Sequence, residues 1–395
     1  MEMKSYKYGD FPTWTLEEIL GDPLPEIDPV YHEAAPEFFL PSTRYDVAAY
    51  FLAQAFDLDE FAMARALPGT AAEVAEKTGF VEAIVRETLD RLVGQGKITK
   101  TPQMYVKLTP VSAMYWDYII FAIDNNGIEI DEETEKLVKL CRSLAKDPDM
   151  YPPEAPVRQV PMRCIPKLSS IKGIPGAMDC ESIESLIMEA FENDEFGIER
   201  CWCRVGFGTW TEGEYNEEVA RKSTPSGIYE GEKPLDGHCL VLGKTAKHWR
   251  ETLNAPKPTL DDVKRVLADI EAHNVILLGS NSRLGGNICT CDFATCYPNG
   301  RFQAWGNVAS RFHPVTDAEE CKRCGKCVEI CQLGAISMGG DGLPVVDEDV
   351  CLGCGNCVVF CPHEAKEMEL FRPVEWIPDG DIQLFMPMPP QPTKQ

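Results

Sequence analysis

Cys321, Cys324, Cys327 and Cys331 stand in the spacing C-x2-C-x2-C-x3-C, and Cys351, Cys354, Cys357 and Cys361 repeat it thirty residues later. Four thiolates within eleven residues suit a cubane iron–sulfur cluster. A single zinc ion usually takes its cysteines as two separated pairs. Three cysteines two residues apart wrap a tight loop around one corner of a cluster, and Gly325 and Gly355 relieve crowding where backbone N–H groups turn toward the sulfurs. In runs of this spacing the fourth cysteine ligates the other cluster. The expected sets are therefore Cys321, Cys324, Cys327 and Cys361 for a first [4Fe–4S] cluster, and Cys351, Cys354, Cys357 and Cys331 for a second. Two adjacent clusters suit one-electron relay. Residues 317–371 hold eleven acids against four bases, and negative charge nearby disfavours adding an electron, so low potentials are expected.

Six more cysteines lie upstream in pairs and near-pairs: Cys201 and Cys203, Cys239, then Cys289, Cys291 and Cys296. A C-x-C segment on a strand puts both thiols on one face. Two such pairs could converge on a third [4Fe–4S] cluster or on zinc, or the thiols could be buried small hydrophobes. His238, beside Cys239, and His248 are further metal-ligand candidates. Cys141, Cys164 and Cys180 lack such spacing and are expected in the core.

The elements that must position these groups fall into an α+β multidomain order. Residues 1–60 form an acidic lead-in with a helix around Tyr45–Phe56. Residues 61–144 read as helix, turn, helix and two-stranded wing. Thr70 and Glu73 make a capping box, Gly79 turns the chain, and Val81, Val85, Leu89, Leu92 and Val93 share helical spacing. This segment resembles a winged-helix domain. DNA binding would follow from that, but Glu82, Glu87 and Asp90 outnumber Arg86 and Arg91 on the second helix, a poor surface for phosphate. A proline-rich linker spans 145–163. The cysteine-containing α/β middle domain, 164–312, carries a helix capped by Thr259 and Asp262, with Val263, Val266, Leu267 and Ile270 in one stripe. The apolar strand VILLG follows, which fits an α/β or α+β unit. The repeat occupies 313–371 and a proline-rich tail 372–395.

The two halves of the repeat match beyond their cysteines. DAEECKRCGKC parallels DEDVCLGCGNC, and CQLGAI parallels CPHEAK. This resembles the two-cluster bacterial ferredoxin. Gln332 stands where that pattern prefers the proline kept at Pro362. Over a longer span the winged-helix-like segment, linker, C-x-C, isolated Cys-Leu and helix precede a second cysteine knot and the ferredoxin repeat. That order is similar to a family of multidomain iron–sulfur proteins of anaerobes, although such proteins carry a denser cysteine string where this chain has CTCDFATC. The resemblance implies an electron-transfer subunit serving a larger oxidoreductase.

Composition narrows the partners. With 44% hydrophobic and 26% charged residues the chain is ordinary for a soluble protein. No apolar run approaches the length of a membrane span, and the first ten residues have no signal core, so a cytoplasmic location is expected. In that reducing compartment clustered cysteines bind metal or do redox chemistry. A formal charge of −25 disfavours nucleic acid and anionic membranes and favours basic patches on redox partner proteins, in a homodimer or hetero-oligomer. GHCLVLGKT has five residues between Gly237 and Gly243, where a phosphate loop needs four, and no dinucleotide fingerprint is present. The expected function is one-electron relay to or from a larger anaerobic oxidoreductase. Two alternatives stand beside it: a reductase whose middle-domain metal centre is the active site, and a redox-sensing DNA-binding regulator.

Overall fold

The computed structural model describes residues 15–39, 44–108, 118–119, 121–123, 125–129, 131–145, 162–200, 238–283, 287–291 and 309–379. These divide into two compact units. Those within 15–145 and 248–256 form one, and those within 162–247 and 257–379 form the other.

The first unit is mostly helical. Its described helices are α1 (Leu16–Leu20), α2 (Pro29–Phe38), α3 (Tyr45–Ala55), α4 (Leu58–Arg65), α5 (Ala71–Thr78), α6 (Glu82–Gly94) and α7 (Glu132–Ala145). Local chemistry starts several of them. Thr15 with Glu18, Asp57 with Glu60, and Thr70 with Glu73 each close a reciprocal capping box, which satisfies backbone donors that a helix start leaves free. Gly79 ends α5 at φ 80°, a conformation glycine adopts without steric cost. Apolar aromatic packing then joins the helices. Phe38, Phe51, Phe56 and Phe61 are fully buried, and the Phe38 and Phe61 rings stack at 5.4 Å. Helix α6 buries Val85, Leu89, Leu92 and Val93. Val81 does not join that stripe: it is the N-cap residue and 64% exposed, because the helix starts one residue later. Beyond α6, β1 (Thr99–Lys100) pairs antiparallel with β2 (Tyr105–Val106).

The second unit is built on a five-stranded sheet, in the order β3 (Met162–Ile165), β6 (Ile276–Ser280), β7 (Asn287–Cys291), β5 (His238–Leu242), β4 (Phe196–Arg200). Every described pairing in it is antiparallel. This corrects the α/β reading of the middle domain to α+β. Strands β6 and β7 follow one another too closely for the long crossover that parallel pairing requires. One face of the sheet is a continuous apolar core. Ile165, Leu277, Ile288, Leu240 and Leu242 meet Ile183, Leu186 and Ile187 of α9 (Ile183–Glu192) and Val263, Val266 and Ile270 of α10 (Leu260–Ala272). The opposite face carries Met162, Cys164, Ile276, Leu278 and Cys291.

The C-terminal part of this unit has internal symmetry. Strand β8 (Phe312–Thr316) pairs with β11 (Lys366–Leu370), and β9 (Ile336–Met338) with β10 (Pro344–Val346), both antiparallel. Short helices α11 (Lys326–Glu329) and α12 (Asn356–Val359) each follow a left-handed glycine, Gly325 at φ 75° and Gly355 at φ 82°. A short helix α8 (Leu168–Ile171) lies just after β3.

Candidate iron–sulfur sites

The loop before α11 and the loop before α12 each curl around a cavity. Cys321, Cys324 and Cys327 line the first, together with Cys361, His363 and Lys366. Cys351, Cys354 and Cys357 line the second, together with Cys331. Each triplet therefore faces the fourth cysteine of the other run. Backbone donors point at the sulfurs: Ala335 N–H donates to Cys331 Sγ at 3.3 Å and Gly353 N–H to Cys351 Sγ at 3.4 Å. All eight are free cysteines. Four soft thiols around one cavity, with N–H groups turned toward sulfur, are the donor set a [4Fe–4S] cluster takes. The residues present fit two such clusters. No group of three or more His, Cys, Asp or Glu side chains among the described residues is arranged to hold a single metal ion.

The two cavities differ in cover. In the first loop Lys322, Arg323 and Cys324 are exposed. In the second, Leu352, Gly353, Gly355, Asn356 and Cys357 are buried. The second loop is docked on the cysteine-bearing sheet face. Lys167 N–H donates to the Cys354 carbonyl at 3.0 Å, Asn356 Nδ2 to the Val275 carbonyl at 3.0 Å, and Ser310 N–H to the Leu352 carbonyl at 2.9 Å. Burial penalises thiolates here. It pushes Cys354 up to about 12 and Cys357 further in the same direction. The charge of bound iron would offset that cost and hold the sulfurs ionised.

Cations lie beside the two sites. Lys167 is fully buried, and its ammonium donates to the carbonyls of Ile270, Glu271 and His273, where α10 leaves acceptors unfilled. The same ammonium lies 5.0 Å over the Phe360 ring. Burial lowers Lys167 to about 8, which still leaves it charged at neutral pH. Lys366, also buried, donates to Thr316 Oγ1 at 2.6 Å and lines the first cavity. Arg311 forms a buried pair with Glu181 at 2.9 Å. Sequence spacing did not single out Lys167, Lys366, Asn356 or Arg311, because each gains its role from a residue distant along the chain.

Of the six upstream cysteines, Cys201, Cys203 and Cys296 lie outside the described residues. Cys239, Cys289 and Cys291 come together on β5 and β7, with Cys239 opposite Cys289 in register. The thiols of Cys239 and Cys291 both hydrogen-bond Cys289 and hold it well below the usual thiol range. The side chain of His238 also lies outside the described residues. His248 sits in the other unit, where its Nε2 is 2.7 Å from Thr99 Oγ1. Cys141, Cys164 and Cys180 are buried. In α6 the two arginines pair with carboxylates, Arg86 with Glu82 and Arg91 with Glu60.

Residues 320–365 match the family model of a 4Fe-4S dicluster domain. Neither curated proteins nor solved structures returned a match to the chain. The chain thus carries a C-terminal ferredoxin-like iron–sulfur domain, and this domain gives it an iron–sulfur electron-transfer role. No helix among the described residues is long and apolar enough to cross a membrane.

Proposed function

We propose that the chain relays single electrons through two [4Fe–4S] clusters to or from a larger anaerobic oxidoreductase. The observation that carries this reading is the pairing of each cysteine triplet with the fourth cysteine of the other run around one cavity, inside the segment matched as a dicluster domain. Cys321, Cys324, Cys327 and Cys361 would hold the first cluster, and Cys351, Cys354, Cys357 and Cys331 the second. The clusters supply reversible one-electron exchange. The chain's own residues hold them, exclude water from the second, and place the cation Lys167 near the second and Lys366 at the first. The chain's formal net charge of −25 suits a partner that presents a basic patch.

Anaerobic purification followed by iron and sulfide counting tests this reading. About eight irons per chain are expected from the two sites. Cys361→Ala should bring the count to about four and remove the electron paramagnetic resonance (EPR) signal of the first site. Loss of the second site's signal instead would overturn the ligand assignment.

A second reading takes the upstream cysteines, of which Cys239, Cys289 and Cys291 are described, as a further metal centre in the middle domain, iron–sulfur or zinc. The register that sets Cys239 opposite Cys289 on neighbouring strands is the observation behind it. About twelve irons, or one zinc beside about eight irons, would support it. Eight irons without zinc would make these thiols structural.

A further inference from the structure

The charges of the ferredoxin segment are sorted between its two cavities. Residues 317–371 carry eleven acids and four bases. All four bases, Lys322, Arg323, Lys326 and Lys366, line the first cavity, and none of the acids does. No charged side chain lines the second. Lys366 is buried, and Lys326 pairs with Glu329 at 2.8 Å. Lys322 and Arg323 are exposed, directly before Cys324, the one exposed cysteine of the eight. Among the described residues neither forms an ion pair. Arg323 uses only its Nε, which donates to the Asp341 carbonyl at 3.3 Å. The same rim includes Met338, 40% exposed and opposite Pro344 in the β9–β10 register. The first site thus reaches the surface inside a small apolar and cationic rim.

We propose that this rim is the docking surface for a one-electron carrier protein with an acidic face, whose carboxylates meet Lys322 and Arg323. The proposal rests on the reading of the first cavity as a cluster site. The chain's formal net charge is −25, so the rim is a local reversal of sign. An acidic carrier is repelled by the net charge and attracted at this edge, which orients it toward Cys324 and not elsewhere. Nucleic acid meets the same net repulsion along its extended phosphates, and it holds no centre that could exchange an electron at the exposed thiolate. In each encounter the carrier gives up or takes one electron and the first site changes by one in the opposite sense. No bond is made or broken, and no proton is required.

The test reads binding of the full, iron-loaded chain to flavodoxin, a small acidic protein that carries one electron on flavin. Both proteins are oxidised, so no electron moves and the affinity is independent of potential. Calorimetric titration at low ionic strength should show a complex that weakens as salt is added. Lys322→Glu with Arg323→Glu should raise Kd by about tenfold and leave the iron count at about eight. Lys264→Glu with Arg265→Glu, on the exposed surface of α10, shifts the net charge equally and should change Kd much less. Should Arg323→Glu lower the iron content, Lys322→Glu alone carries the test. An equal loss in both double variants, or no loss in the first, would overturn the proposal. So would a chain that binds the basic carrier cytochrome c and not flavodoxin. In each of those cases a chain holding about eight irons still stands as a relay. A chain that takes up no iron at the first site fails as a relay, and the docking proposal falls with it.

Discussion

Two buried cations define the chemistry at the scale of single residues. Lys167 fills three carbonyl acceptors at the end of α10 and brings positive charge to the second cavity. Lys167→Met leaves those acceptors without a donor, and denaturant titration should show a loss of about 1–3 kcal/mol. The same variant should lower the reduction potential of the second cluster and leave the first nearly unchanged, because removing a nearby cation disfavours the extra electron. Potentiometric titration followed by EPR checks both signs. Arg311 and Glu181 form a buried pair with side chains 5% and 1% exposed. Arg311 also donates to the carbonyls of Gly176, Arg372 and Pro373, so it ties the start of the ferredoxin segment to the loop before α9. Arg311→Met should cost about 3 kcal/mol, since a carboxylate stays buried without this partner. The double variant Arg311→Met with Glu181→Met should recover much of that loss in the same titration.

At the scale of elements, the two halves of the repeat show how one loop was adapted to two surroundings. Arg323 in the first loop and Gly353 in the second hold equivalent positions two residues after the leading cysteine, and both are left-handed, at φ 56° and 66°. Arg323 tolerates that conformation because its side chain runs into the open, where its Nε donates to the Asp341 carbonyl. Gly353 has no such space: a Cβ there would come within 2.1 Å of the Phe312 carbonyl oxygen and 2.4 Å of Ser310 Oγ. Gly353→Ala should therefore push the second loop away from Ser310 and the start of β8, and iron should fall from about eight toward four per chain. Arg323→Gly should leave the iron count unchanged. An unchanged count in both variants would show that the docking of the second loop does not govern cluster retention.

At the scale of the whole molecule, the units draw their stability from different sources. The helical unit has a packed aromatic core and well-capped helices, which suffice for a domain of its size. The ferredoxin segment has short strands and four-residue helices, α11 and α12, and its cavities are lined by thiols whose ionised form burial disfavours. Removing iron with a chelator under oxidising conditions should thus strip hydrogen-exchange protection from residues 309–379 while residues 45–108 keep theirs. Retained protection in 309–379 would mean that the segment folds without metal.

The sequence by itself determined the metal chemistry and the helix starts, because both are encoded locally. Ligand spacing within one tight loop selects a cubane whatever surrounds it. A Thr or Asp with its acidic partner three residues on caps a helix without help from the rest of the chain. Helix α10 and strand β6 were legible for the same reason, as one periodic stripe and one apolar run. Val81 shows the limit: periodicity placed it on a helix face, but the backbone starts α6 one residue later and leaves it in solvent. What only the tertiary structure decided depends on residues far apart. Antiparallel pairing in the middle sheet, the burial of one ferredoxin loop and exposure of its twin, and the ammonium of Lys167 beside carbonyls more than a hundred residues away all arise from docking. So does the row across the sheet from Cys164 through Leu278 and Cys289 to Cys239. Each strand fixes which of its own side chains share a face, but only the register between strands sets those thiols side by side.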